Sequence, residues 1–169
     1  FGRMIRLLIA DDEKLEREAL ADMVSHRFEH EVVLEFAENG RKAADTAVLW
    51  GAELILMDIE METTTAGIHA AENILAENPD AIVIFLTAHE TENMILMSMG
   101  AGAVDYVVKG CPEDELLLHI RKAYEGEPML GARVQHTVLK EYSRLRRSEK
   151  SLLFFINNVS QLTPAERSL

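Results

Sequence analysis

"LILMDIEMETTTAGIHA", residues Leu54 to Ala70, begins as an unbroken apolar run, meets a carboxylate at Asp58, and passes three threonines before Gly67. The apolar part reads as a strand buried on both faces. An ionised carboxylate at its end is costly unless something there favours negative charge, because desolvation penalises the charged form. Asp58 therefore needs partners from elsewhere in the chain.

Four more short apolar stretches join "LILM" (Leu54 to Met57) as strands: "IRLLIA" (Ile5 to Ala10), "VVLEFA" (Val32 to Ala37), "AIVIFLT" (Ala81 to Thr87) and "AVDYVV" (Ala103 to Val108). Segments of helical spacing lie between them, such as Leu15, Ala19, Met23 and His26, or Leu116, Ile120, Ala123 and Tyr124. Strand and helix in alternation imply right-handed crossovers and a doubly wound α/β fold with a five-stranded parallel sheet. Glu35 marks "VVLEFA" as the edge strand, which fits the flavodoxin-like order 2-1-3-4-5. Ligands of such sheets bind where strands 1 and 3 diverge, at their C-terminal ends.

The polar residues gather at that edge. Asp11 and Asp12 follow strand 1, Asp58 follows strand 3, Thr87 ends strand 4 and Lys109 ends strand 5. Singly, each has an ordinary explanation: Asp12 as cap of a helix near Glu13, Thr87 as strand filler, Lys109 as a surface charge. Together they place three mutually repelling carboxylates, a hydroxyl and an ammonium on one rim. A hard cation with oxygen ligands, most naturally Mg²⁺, relieves the repulsion. A carboxylate nucleophile, a cation and donors for equatorial oxygens are the parts needed to accept a phosphoryl group.

The 169 residues are 48% hydrophobic and 27% charged, which suits one domain with an extension. With 29 acidic against 17 basic residues the net charge is -12, unlike a general binder of nucleic-acid backbones. A lone cysteine, Cys111, precludes an intrachain disulfide, and neither a membrane span nor a signal layout is evident, so a cytoplasmic location is expected. Residues 4–125 read as the domain and 126–133, rich in Gly and Pro, as a linker. Residues 134–159 read as a long helix. Val138, Leu145, Leu152 and Val159 recur every seven residues along it, the spacing of a dimerising seam, although Glu141 and Ser148 interrupt the companion positions until Phe155. The surplus leucines of "ELLLHI" (Glu115 to Ile120) offer a second dimer surface. Arg144, Arg146, Arg147 and Lys150 read as the helix's solvated face.

"DD" at Asp11 and Asp12, "MDIEM" around Asp58, "LTAH" around Thr87 and "AGAVDYVVKG" around Lys109 resemble, in order and spacing, the receiver domain of two-component response regulators. The resemblance covers Ile5 to about Tyr124. It implies that Asp58 accepts a phosphoryl group from a sensor histidine kinase. It also implies that Asp11, Asp12, Asp58 and the backbone carbonyl of Glu60 surround Mg²⁺, and that Thr87 and Lys109 bind phosphoryl oxygens. Tyr106 resembles the switch aromatic that turns inward with Thr87, and Glu60 and His89 the positions that tune hydrolysis. No enzyme beyond self-dephosphorylation is implied.

Two departures stand out. Glu62 replaces a common proline and "TTTAG" delays Gly67, so the loop beside the nucleophile is longer and carries another acid. "KG" at Lys109 and Gly110, with Pro112 beyond, resembles regulators bearing a LuxR-type or NarL-type helix-turn-helix. "LTPAER" (Leu162 to Arg167) resembles the opening of that DNA-binding module, so residues 160–169 read as the start of an output domain that is cut short. The rivals are an RNA-binding antiterminator output, a Mg²⁺-dependent phosphatase with an aspartate nucleophile, and a receiver that acts without phosphorylation.

Overall fold

The structure is a computed structural model that describes residues 3–160. It divides into a unit ending at Gly131 and a second beginning at Ala132. Among the described residues the first unit alternates five strands with five helices. The order is β1 (Ile5–Ala10), α1 (Lys14–Arg27), β2 (Val32–Ala37), α2 (Gly40–Trp50), β3 (Leu54–Asp58), α3 (Ala66–Glu77), β4 (Ile82–Thr87), α4 (Glu92–Gly100), β5 (Asp105–Val108) and α5 (Glu113–Tyr124). Every strand pair is parallel and the sheet order is β2-β1-β3-β4-β5. This is the doubly wound, flavodoxin-like sheet expected from the apolar runs, with the Glu35 strand at its edge.

The central strands are apolar along their length because helices cover both faces. Leu7, Ile9, Leu54, Leu56, Ile84, Leu86 and Val107 face Val24 and Phe28 near α1 and Leu116, Leu117, Ile120 and Ala123 of α5. By the two-residue period of strands, Leu8, Ile55, Met57, Val83 and Phe85 face the other side, and all are fully buried. One polar pair is built into this interior. The carboxyl of Asp105 on β5 accepts the Tyr106 N–H and meets Nδ1 of His119 on α5 at 2.5 Å. Burial pushes the Asp105 carboxyl up.

The structure corrects several details. The stripe Leu15, Ala19, Met23 and His26 is not the packed face of α1, since Leu15, Ala19 and His26 are exposed. Of that stripe Met23 packs, together with Leu20, Ala21 and Val24. The first turn of α1 lies past the C-terminal end of β1, where no core supports Leu15. Leu116 and Leu117 both enter the core, leaving only Leu118 of that run about half exposed. β4 and β5 begin one and two residues later than the apolar runs suggested, and β3 extends to include Asp58.

The second unit is α6 (Ala132–Ser160), beginning two residues before the expected boundary at 134. At 1.5 Å per residue it is about 43 Å long. Every residue from Tyr142 to Val159 is exposed. "LTPAER" lies outside the described residues.

Gly67 fixes how α3 meets β3. A Cβ built there would stand 2.0 Å from the Asp58 carbonyl oxygen, so the helix can start against the strand end only if residue 67 lacks a side chain. Gly67→Ala is expected to destabilise the unit by about 2–4 kcal/mol in chemical denaturation. Gly100→Ala, where an added Cβ meets nothing within 4 Å, should be neutral or stabilise by up to about 1 kcal/mol.

Candidate functional site

Asp58 is the last residue of β3, paired with Leu86, and Asp11 is the first residue beyond β1. The Asp11 N–H donates to the Ala37 carbonyl at 3.0 Å and its Oδ1 accepts the Glu13 N–H at 2.9 Å. Arg17 Nη1 donates to the Asp11 carbonyl at 2.8 Å. The turn out of β1 is thereby pinned with the carboxyl of Asp11 aimed along the sheet edge. Lys109 directly follows β5, held by its N–H donating to the Thr87 carbonyl at 2.7 Å.

These three strand ends meet through one ammonium. Nζ of Lys109 lies 2.6 Å from Glu16 Oε2, 3.2 Å from Asp58 Oδ2 and 3.4 Å from Asp11 Oδ2. Glu16, in the first turn of α1, was not singled out from the sequence. A glutamate there is ordinary complement to a helix N-terminus, so no local signal marks it. The carboxylate oxygens of Asp11, Glu16 and Asp58 all lie within 4.8 Å of one another.

One cation among three acids leaves the cluster electrostatically short. Burial pushes the Asp58 carboxyl up to about 6, opposed by Lys109 and reinforced by Asp11 and Asp12. Burial likewise pushes Asp11 up to about 6, against the Glu13 N–H and Lys109. Burial disfavours the Lys109 charge too, but Glu16, Asp58 and Asp11 outweigh it and hold the ammonium firmly protonated. The hydrogen bond from Lys109 holds Glu16 below the usual glutamate value. Hard oxygen donors at this separation, two of them buried and short of positive charge, fit a divalent cation such as Mg²⁺. Asp58 is 5% exposed, buried yet still reached by solvent. Beside the cluster a cleft of about 270 Å³ opens between α1 and the segment after β5, lined by Glu16, Leu20, Met23, Lys109 and Cys111.

The other expected residues lie around this centre. Asp12 is exposed and outside the three-carboxylate group; it did not become the cap of α1, whose N-cap is Glu13 without a side-chain bond. Glu60 and His89 are exposed, and His89 sits in the loop before α4. Thr87 is buried, its Oγ1 donating to the His89 carbonyl at 2.8 Å and accepting the His89 N–H at 3.1 Å. Tyr106 is already inside, with its hydroxyl donating to the same His89 carbonyl at 3.1 Å.

The longer loop after Asp58 is anchored by the residue that replaced the proline. Glu62 turns away from the acids, accepting the Gly40 N–H on Oε1 at 2.6 Å and the Arg41 N–H on Oε2 at 3.3 Å. Partial burial works against its charge, but these backbone donors hold its carboxyl below the usual value. Glu62 thus supplements the Asn39 cap of α2, and Gly67 still reaches Ile59, its N–H donating to that carbonyl at 2.9 Å.

Residues 7–121 match the family described as response regulator receiver domain. The chain is 30% identical over 141 residues to the transcriptional regulatory protein DegU of Brevibacillus brevis, covering 83% of this chain and 59% of that protein. It is 35% identical over 150 residues to the transcriptional regulatory protein LiaR of Bacillus subtilis, covering 89% and 69%. The chain therefore spans roughly 60–70% of the length of these relatives. The response regulator domain of Thermotoga maritima CheB superposes with a TM-score of 0.62 at 31% identity, over 72% of this chain and 96% of that one. A LuxR-family two-component response regulator from Aurantimonas sp. SI85-9A1 shares the fold with a TM-score of 0.72 at 22% identity, over 83% and 99%.

A carboxyl whose folded value is raised binds more protons folded than unfolded, so its contribution favours folding below about pH 4 and is lost as pH rises through about 6. Asp58→Asn removes one such cost. In metal-free buffer at pH 7 it is expected to stabilise the chain by about 1–2 kcal/mol, an advantage that fades in thermal melts toward pH 4.

Proposed function

We propose that this chain, which belongs to the response regulator receiver domain family, is switched by phosphorylation of Asp58 by a sensor histidine kinase. The observation that carries this reading is the sharing of one ammonium, on Lys109, among Asp58, Asp11 and Glu16 at the sheet edge. An Asp58 carboxylate oxygen forms the bond to phosphorus as the bond from phosphorus to the donor imidazole breaks; the electron pair of that bond goes to the departing nitrogen, and the imidazole, already protonated at its other nitrogen, leaves neutral. Asp11, Asp12, Asp58 and the Glu60 carbonyl would hold Mg²⁺, with Glu16 beside them. Bound there, the ion neutralises charge that builds on the phosphoryl oxygens.

Lys109 is already within ion-pair distance of the acceptor and follows the incoming group. Thr87 must exchange its bond to the His89 carbonyl for one to a phosphoryl oxygen. That exchange leaves Tyr106 as a donor to the same carbonyl, so the loop before α4 and the ring respond together. With the ring already buried, the loop rather than the ring makes the larger movement. Glu60 and His89 face solvent where an attacking water would pass, and tune self-dephosphorylation from there.

The output is DNA binding of the LuxR/NarL type, supported by the transcriptional roles in the names of DegU and LiaR. Homodimerisation runs through α6, on Val138, Leu145, Leu152 and Val159. The site of action is the cytoplasm; among the described residues, no helix is long and apolar enough to cross a membrane.

Beryllofluoride with Mg²⁺, a mimic of the acyl phosphate, tests the assignment. Stoichiometric binding and a raised melting temperature are expected for the native chain, with neither in Asp58→Ala. Equal responses from both proteins would remove Asp58 as the acceptor and leave the non-phosphorylated receiver standing.

A further inference from the structure

Asp105 and His119 form a buried polar pair that neither the acidic rim nor the phosphoryl chemistry uses. Asp105 is 0% exposed at the start of β5, and His119, 8% exposed, stands with Leu116, Leu117, Ile120 and Ala123 on the packed face of α5. Desolvation makes an acid in such a place costly unless partners hold it. Asp105 has two of them. Its Oδ1 accepts the Tyr106 N–H at 2.8 Å and its Oδ2 meets Nδ1 of His119 at 2.5 Å.

These bonds anchor Tyr106 at both ends. The peptide that carries the ring is tied through Asp105 to α5, while the hydroxyl at the ring's far end donates to the His89 carbonyl at 3.1 Å. Thr87 Oγ1 donates to that same carbonyl at 2.8 Å. Strand alternation sends Asp105 and Val107 to the α5 side of the sheet and Tyr106 to the other, so α5 acts on the ring through the backbone.

We propose that His119 is a positioning residue: through Asp105 it holds Tyr106 where the hydroxyl keeps the His89 carbonyl satisfied when Thr87 leaves for a phosphoryl oxygen. The role rests on the reading of Asp58 as the phosphoryl acceptor. Thr87 has one hydrogen to donate, so donating it to a phosphoryl oxygen takes it from the carbonyl. A partly buried carbonyl left without a donor is costly, and that cost is set against phosphoryl binding. Tyr106, fixed in place, removes it. The pair therefore acts on affinity for the phosphoryl group and not on the metal, because the ion pairs of Asp11, Glu16 and Asp58 run to Lys109 instead.

Beryllofluoride titrated by calorimetry in saturating Mg²⁺ reads this role directly. His119→Leu removes the anchor. Asp105→Leu with His119→Leu removes it without stranding a buried acid, an apolar pair being tolerated where a lone buried charge is not, and so serves where the single variant fails to fold. Either change should weaken beryllofluoride binding by about five- to twentyfold, while the affinity for Mg²⁺ alone stays within about twofold of native. His119→Asn restores a donor at the Nδ1 position and should bind within about twofold of the native chain. Tyr106→Phe should weaken binding as much as the double replacement, and the three changes together no more than either, since all remove one donor from one carbonyl. Equal affinity in the native and doubly replaced chains overturns the positioning role and leaves Asp58 as acceptor. So does a loss that adds to that of Tyr106→Phe, a loss shared by Mg²⁺ alone, or a His119→Asn chain as weak as His119→Leu. A native chain that binds no beryllofluoride overturns the acceptor reading and this role with it.

Discussion

One ammonium serving three carboxylates is the constraint on which the site depends. Asp11, Asp58 and Lys109 stand at the C-terminal ends of β1, β3 and β5, and the order β2-β1-β3-β4-β5 brings them to one edge, with Lys109 reaching past β4. Glu16 joins from the helix that β1 feeds. Because Asp11 and Asp58 are buried, water screens them poorly, and a single lysine leaves negative charge in excess. The excess is stored by keeping both carboxyls reluctant to ionise. A site in that condition gains from any added positive charge, which is why a divalent cation suits it.

The backbone around this cluster is held from outside it. Gly67 lets α3 press on the Asp58 carbonyl, and Glu62 ties the intervening loop to the first amides of α2. The acid that looked like extra crowding beside Asp58 instead accepts the first amides of a neighbouring helix, supplementing its Asn39 cap. On the far side of the site, Thr87 and Tyr106 donate to one carbonyl, at His89. Thr87 and Tyr106 are thus linked through one backbone carbonyl, with no side chain between them.

The sheet was legible because buried parallel strands must be apolar throughout, and Glu35 could lie only at an edge. Asp11, Asp58 and Lys109 were legible because each stands at a strand end, where topology dictates its neighbours. Glu16 was not, since a first-turn glutamate has an ordinary electrostatic reason to be there and nothing local tells which way it leans. The face of α1 was misread because counting from Leu15 assumes core beneath the first turn, which instead overhangs the acidic rim. The destination of Glu62 was hidden for another reason: its partners, Gly40 and Arg41, are backbone groups, which no side-chain pattern announces.

The charge-starved cluster can be examined directly by following the Asp58 carboxyl carbon in a pH titration by NMR, with and without Mg²⁺. The account expects a midpoint near 6 without the ion and a clear drop on adding it. A midpoint at the ordinary aspartate value of about 3.9, indifferent to Mg²⁺, would contradict it.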